Sequence, residues 1–402
     1  MSAHYFDSFT SASQFTGSNV KHISRLSMTS ASGWGRKHLL ACRVVVRQAR
    51  HNILPILSPY SKSSDTTSPV EIVKFVNGPD HIQHFERSEH SLVRDFGYSI
   101  SLAQTWAALA AFKGSRDSQR TQQSIGPSNS DDGNHSEDSN ADYDSLMDTE
   151  SDGDGNSGGM GRPAREIRPS RDSEFVHSGE MQVGSSSPQA ASSQDASSTG
   201  HIDNAEHHLR GTVEDDTLRL LSCVIRHILY FGSPQDWKNM SRVVEFRDVK
   251  LQASAHLPSI NKSINAIDDG GLCLRIQDEG SFTLLDDRVA ILEAKRDFDS
   301  LEEGKPIISD RCLAQMTCEA LVARSVSSEP RERVIVIHAT QNYICFLEFK
   351  ISDEYIQDLG SESPSSCITV VATPWYDLSS ASNRKQVVLN LCALMRWGGA
   401  RK

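Results

Sequence analysis

A chain of 402 residues has room for two or three average domains, but a hydrophobic fraction of 37% and a mean hydropathy of -0.42 exclude one that is folded throughout. The formal charge is -11, yet ten acids lie between Asp131 and Asp154 with no Lys or Arg among them, and subtracting those ten leaves -1. The acidity thus belongs to one segment and does not exclude a nucleic-acid partner for the rest.

No apolar run approaches the ~20 residues that cross a bilayer, and the N-terminus lacks the apolar stretch of a secretory signal, so no membrane partner is expected. The eight cysteines have no C-x-x-C spacing and fall mostly inside apolar runs, as reduced core residues of an intracellular protein do. Nucleus or cytoplasm is the expected location. A mitochondrial leader is the alternative, because residues 8–64 hold eight Lys or Arg and no acid; Asp7 and the folded-looking "WGRKHLLACRVVVRQ" count against it.

Along the chain, residues 1–32 are Ser/Thr-rich and aperiodic, which predicts a flexible arm. Residues 33–112 read as structured and too short to hold a core alone, so they are expected to pack on the unit that begins at residue 212. In them "HLLACRVVV" ends in three consecutive valines, "SPVEIVKFV" is strand-like, and "SISLAQTWAALAAF" reads as an Ala/Leu helix. Residues 113–211 are Ser, Gly, Asp and Asn with few large apolar residues, which predicts a long disordered acidic insert. Its "DGDGNSGG" has the alternating acids of a calcium loop, but Ser157 stands where the loop needs Gly and Pro163 where it needs Glu.

From residue 212 to 402 the pattern is that of one compact unit. Leu218, Leu221, Ile225 and Leu229 mark a helix capped at Asp215 or Asp216 and stopped by Gly232-Ser233-Pro234. "SRVVEFRDVKLQA" predicts a strand, "LCLRI" and "VAILEAK" a pair of strands, and Ser309 to about Arg324 a helix. "RVIVIHA" and "YICFLEFKI" predict a hairpin, "CITVVAT" a strand, and about Asn383 to Trp397 a closing helix. This order implies an α/β fold with a mixed central β-sheet flanked by helices.

Glu293-Ala294-Lys295 ends an otherwise apolar strand, and a buried charge is costly unless it is paired or given a metal. Acid-x-lysine triplets are weak signals, and five occur: Asp236/Lys238, Asp248/Lys250, Glu293/Lys295, Glu303/Lys305 and Glu348/Lys350. Context separates Glu293. A hairpin turning near residue 281 sets Asp269 opposite it, with Asp268 competing for that place, and the following helix carries Gln315 and Glu319 one turn apart on an otherwise apolar surface. Two carboxylates at a strand end make a hard-oxygen site suited to Mg²⁺ or Mn²⁺, and a nearby lysine can orient or deprotonate a water.

Helix, aspartate at a strand start, "ILEAK" on the next strand and a following helix with Gln: this succession resembles the PD-(D/E)XK nuclease superfamily, in particular the nuclease-like domains of fungal proteins, over roughly residues 212–397. The resemblance implies a restriction-endonuclease-like fold that hydrolyses nucleic-acid phosphodiesters, DNA or RNA. It implies Asp269 and Glu293 as Mg²⁺ or Mn²⁺ ligands, Lys295 as the catalytic lysine and Gln315 as the residue that orients the site. No Pro precedes Asp269, and Gly270-Gly271 follow it, which departs from the family pattern. A catalytically inactive nuclease-fold module that binds nucleic acid or protein is the alternative. An interaction protein built on the acidic segment is a third reading. The bland account of Glu293/Lys295 is a solvated ion pair, that of Gln315 and Glu319 a bond to a loop backbone, and that of His338 a satisfied strand-end histidine.

Overall fold

The computed structural model describes residues 4–15, 21–27, 30–47, 51–61, 68–123, 213–235, 240–278, 280–295, 301–302, 305–327, 331–361 and 364–400. The chain divides into two compact units, Met1–Arg120 with Ser186–Lys402, and Thr121–Ser185; every strand and both apolar clusters lie in the first. No helix among the described residues is long and apolar enough to cross a membrane.

The N-terminal part supplies helices α1 (Tyr5–Ser8) and α2 (Arg36–Ala41), strand β1 (Val44–Arg47), and helices α3 (Val70–Asn77), α4 (Glu89–Arg94) and α5 (Ile100–Gln123). Two expectations are corrected here. The supposed arm is anchored by its large apolar residues: Tyr5, Phe6, Ile23 and Leu26 are buried, and the Tyr5 hydroxyl donates to the Val44 carbonyl at 2.8 Å. A few large apolar residues spaced by Ser and Thr show no period, yet these four find a place in the core. "SPVEIVKFV" is helix α3, because Ile72 and Phe75, three apart, are the residues its neighbours bury while Val70 and Val73 face outward. Its β-branched residues suggested a strand, and packing overrode that preference. Helix α5 runs on to Gln123, into the stretch expected to be disordered; residues 124–211 of that stretch lie outside the described residues.

Next come α6 (Val213–Phe231), β2 (Arg242–Arg247), β3 (Gln252–Leu257), β4 (Lys262–Ile267), β5 (Gly271–Asp278) and β6 (Ser281–Lys295). Where one strand was expected over 241–253, the chain breaks at Asp248-Val249 and starts the separate β3–β4 hairpin. The chain continues through the short pair β7 (Leu301–Glu302) and β8 (Lys305–Pro306), α7 (Asp310–Val326), β9 (Arg333–Thr340), β10 (Tyr343–Lys350), α8 (Asp353–Asp358), β11 (Ile368–Ala372), β12 (Tyr376–Asp377) and α9 (Ala381–Gly399). Helix α7 starts where Ser309 accepts the Cys312 N–H, a side-chain cap.

The main sheet has eight strands in the order β1-β11-β10-β9-β6-β5-β2, with β12 added to β10. It is mixed: β1 runs parallel to β11 and β6 parallel to β9, and the other pairs are antiparallel. The strand period of two sorts side chains onto two faces. Ala290, Leu292, Ile335 and Ile337 join Trp106, Ile225 and Leu391 in one cluster, so residues 54–112 share a core with α6 and α9. Ile291, Val336, Leu347 and Phe349 join Leu313, Met316, Leu39 and Tyr5 in the other, under α7. By the same period Glu293 and Lys295 fall on the α7 face, with His338 opposite Glu293 in the β6–β9 register.

Candidate functional site

The register of β5 against β6 positions the first carboxylate. Near the turn the pairing is that of a tight hairpin, Asp278 with Ser281 and Gln277 with Phe282, which would set Asp269 beyond the reach of Glu293. Two irregularities between Leu272 and Arg275 absorb extra β6 residues, and Gly271 then pairs with Ile291. Continuing that register, the Asp269 N–H donates to the Leu292 carbonyl and the Leu292 N–H to the Gly270 carbonyl, both at 3.0 Å. Asp269 thus sits across from Glu293. Gly270 and Gly271 serve this approach: a Cβ on Gly271 would stand 2.2 Å from the Ala290 carbonyl oxygen, and one on Gly270 2.8 Å from that of Arg247.

The neighbouring aspartates have different tasks. Asp268 receives the Arg247 guanidinium at 3.0 and 2.9 Å and the N–H groups of Leu251 and Gly270, so both its oxygens bind the chain together. Asp269 accepts the Ala294 N–H on Oδ2 at 3.0 Å and the Lys250 ammonium on Oδ1 at 2.8 Å. Asp269, not Asp268, is the carboxylate beside Glu293.

Glu293 is fully buried, and its Oε1 accepts from the Lys295 ammonium at 2.6 Å and from Gln315 Nε2 at 2.5 Å. The same Gln315 nitrogen donates to Glu319 Oε1 at 3.0 Å. Glu293 Oε2 and Glu319 Oε2 are buried and take no N–H or ammonium, while the two carboxyls lie within hydrogen-bonding reach of each other whenever one of them is protonated. On the strand's other side His338 meets the Glu293 carbonyl through Nδ1 at 3.0 Å and Cys312 Sγ through Nε2 at 3.3 Å, and its ring leans on Trp375. That makes it a satisfied histidine that steadies the backbone of β6.

Charge is poorly solvated here. Burial pushes the Glu293 carboxyl up to about 7, against the pull of the Lys295 ammonium and with a further push from the Asp269 charge. Burial and the Glu293 charge push Glu319 well above the usual carboxylate range. Burial alone would strip the Lys295 proton, but the Glu293 carboxylate outweighs it and the ammonium is held more tightly than usual. Three carboxylates, Asp269, Glu293 and Glu319, thus share two ammonium groups, Lys250 and Lys295. Glu319, with no ion pair, is the acid whose protonated form burial favours most.

Asp269, Glu293, Lys295 and Gln315 therefore come together around the end of β6. Sequence reasoning overlooked Lys250. It belongs to the Asp248/Lys250 triplet, whose two halves part: Asp248 pairs with Arg226 on the surface while Lys250 reaches Asp269. The break after β2 turns Lys250 back toward the start of β5, a reversal that no residue pattern near it marks. Of the other triplets, Asp236/Lys238 and Glu303 lie outside the described residues. Glu348 is bound by Arg333 and the Ile56 N–H. No group of three or more His, Cys, Asp and Glu residues that could hold a metal is assembled among the described residues. No protein-family model and no curated protein matches the chain.

Proposed function

We propose that residues 212–402 are a PD-(D/E)XK nuclease-like domain of restriction-endonuclease-like type, hydrolysing nucleic-acid phosphodiesters with a Mg²⁺ or Mn²⁺ ion held by Asp269 and Glu293. The observation that carries this reading is the fully buried Glu293 Oε2, which takes no N–H or ammonium although a second carboxylate stands beside it, while Oε1 takes two donors. A buried carboxylate oxygen with nothing on it is costly, and a cation removes that cost. The donors fit the ion: Mg²⁺ takes hard oxygens, keeps several waters and needs only one or two carboxylates from a protein.

Bound there, the ion would neutralise phosphate charge and acidify a water. Gln315 and Lys295 fix the Glu293 carboxylate between them. The Lys295 ammonium, kept charged by Glu293, orients a water and stabilises negative charge on phosphate oxygens; it is poorly suited to take a proton. Lys250 holds the Asp269 carboxylate and, with its side chain 44% exposed, is free to turn outward when a cation arrives. His338 holds the strand end that carries Glu293.

A specific observation favours the non-catalytic module: each of the two carboxylates already carries an ammonium, so the site is partly neutralised without any ion. One experiment decides. Single- and double-stranded DNA and RNA are offered with Mg²⁺ or Mn²⁺ to the wild type, Lys295→Ala and Glu293→Ala, and melting temperature is followed against Mn²⁺. The wild type is expected to cut and to be stabilised by Mn²⁺. Lys295→Ala should lose about 10²–10⁴-fold in rate while keeping the Mn²⁺ response, and Glu293→Ala should lose both. A wild type that binds the panel and cuts nothing establishes the binding module. A wild type whose melting is indifferent to Mn²⁺ removes the metal.

A further inference from the structure

Five acids are buried among the described residues: Asp268, Asp269, Glu293, Glu319 and Glu348. Arg247, Lys250, Lys295 and Arg333 pair with four of them. Glu319 has no ion pair. It sits on α7 among Met316, Ala320 and Leu321, where an apolar side chain would pack at lower cost. Gln315, four residues earlier on the same helix face, donates an N–H to it, and its carboxyl also lies within hydrogen-bonding reach of Glu293.

That bond bears on the site through the geometry of a carboxamide. Gln315 has two N–H donors on one nitrogen and a carbonyl oxygen on the other side of the plane. One N–H goes to Glu293 Oε1 and the other to Glu319 Oε1. With an acceptor on both sides of the nitrogen, the amide has one favourable orientation. Without Glu319, one of the two bonds that fix the amide plane is gone, and the group can twist away from Glu293 or turn over. Glu293 Oε1 would then keep only the Lys295 ammonium, and the carboxylate would be free to rotate about its last bond.

We propose that Glu319 is a positioning residue: it locks the Gln315 carboxamide with its nitrogen toward Glu293, and so fixes which Glu293 oxygen the protein holds and which one is left to a cation. This rests on the reading of Asp269 and Glu293 as a metal site. It also accounts for an acid placed in the interior of α7 with no cation of its own.

Full-length protein carrying Glu319→Leu or Glu319→Gln tests it, with Mn²⁺ affinity, kcat and KM as one set of readouts and the side-chain NH₂ resonances of Gln315 in ¹⁵N-labelled protein, assigned with Gln315→Glu, as another. Glu319→Leu should fold at least as stably as the wild type, yet lose about 10–100-fold in Mn²⁺ affinity or kcat with KM little changed, as partners behind a metal ligand do. Glu319→Gln supplies an oxygen for the same N–H and should restore most of that loss. In Glu319→Leu one Gln315 N–H resonance should move toward the value of a solvent-exposed or unbonded amide, and in Glu319→Gln both should stay close to wild type. Glu319→Leu with wild-type Gln315 resonances overturns the proposal, as does an equal loss of Mn²⁺ affinity in both variants. Should the wild type bind no Mn²⁺ at all, the metal reading falls separately, and the Gln315 resonances alone decide on Glu319.

Discussion

Glu293 and Glu348 are near twins in sequence: each stands two residues before a lysine, on a strand of apolar residues, and each is buried. Their surroundings differ. Glu348 on β10 has one oxygen on the Arg333 guanidinium and the other on the Ile56 N–H, while its own Lys350 is exposed on the strand's last position. Glu293 on β6 has both donors on one oxygen and none on the other, and its own Lys295 turns back onto it. A buried carboxylate with both oxygens satisfied ties elements together. One with an oxygen left over is the kind that takes a ligand.

The contrast makes its largest demand on stability. Glu348→Ala strips a partner from Arg333 and from the Ile56 N–H and opens a small void, so it should destabilise by about 2–3 kcal/mol, discounted because Arg333 is partly exposed. Lys350→Ala should stay within about 0.5 kcal/mol. Neither should alter the response to Mn²⁺. Urea unfolding of both, with and without Mn²⁺, checks this; a diminished cation response in Glu348→Ala would end the distinction between a structural and a functional acid.

Much of this was legible from residue pattern alone. The helix of Leu218 to Leu229, the paired strands of "LCLRI" and "ILEAK", the capped helix after Ser309, the "RVIVIHA"/"YICFLEFKI" hairpin and the closing helix all stand where their periods and breakers put them. These elements bury one clear face or two, so the pattern is strong. Elements with a weak pattern were lost. The β3–β4 hairpin is built of Gln, Ala, Ser and His around a turn at Asn261, and α3 mixes β-branched residues with a helical spacing. At the site, Glu293 and Gln315 announced themselves as polar residues in apolar runs. Lys250 could not, since nothing near it in sequence says that a chain reversal will bring it to Asp269. The facing of Asp269 and Glu293, expected from a turn near residue 281, is reached instead from the Asp278–Ser281 pairing through irregularities that no short-range rule specifies.

A second, smaller effect is read in pH. Burial pushes Glu293 up to about 7 from 4.5 and Glu319 well above 4.5. Both folded values exceed the unfolded ones, so above pH 4.5 the folded chain keeps protons that the unfolded chain has released. The stability this pair contributes is therefore fully present below about 4.5 and is lost as pH rises through the folded values, at about 1.4 kcal/mol per pH unit for each retained proton. Glu319→Gln removes one such proton and should flatten the slope between about pH 5 and pH 8. Unfolding midpoints measured across that range in the wild type and Glu319→Gln check this, and an unflattened Glu319→Gln profile would mean that Glu319 is ionised in the folded chain.

The smallest effect belongs to Lys250, and it probes the site from outside. Its ammonium sits on Asp269 Oδ1 at 2.8 Å with 44% of its side chain exposed, so solvent already screens the pair. Lys250→Met keeps the apolar stem and should change stability by less than about 1 kcal/mol. The cation response should move the other way. Asp269 no longer shares its charge with an ammonium, and a divalent ion meets a more negative pair of carboxylates, so Mn²⁺ should raise the melting temperature of Lys250→Met more than that of the wild type. At Glu348 the corresponding removal of its cation, Arg333→Met, should create no such response, because that acid has no second carboxylate beside it. If Lys250→Met responds to Mn²⁺ no better than wild type, then the lysine and the ion do not compete for Asp269, and a cation at this site would have to be carried by Glu293 without it.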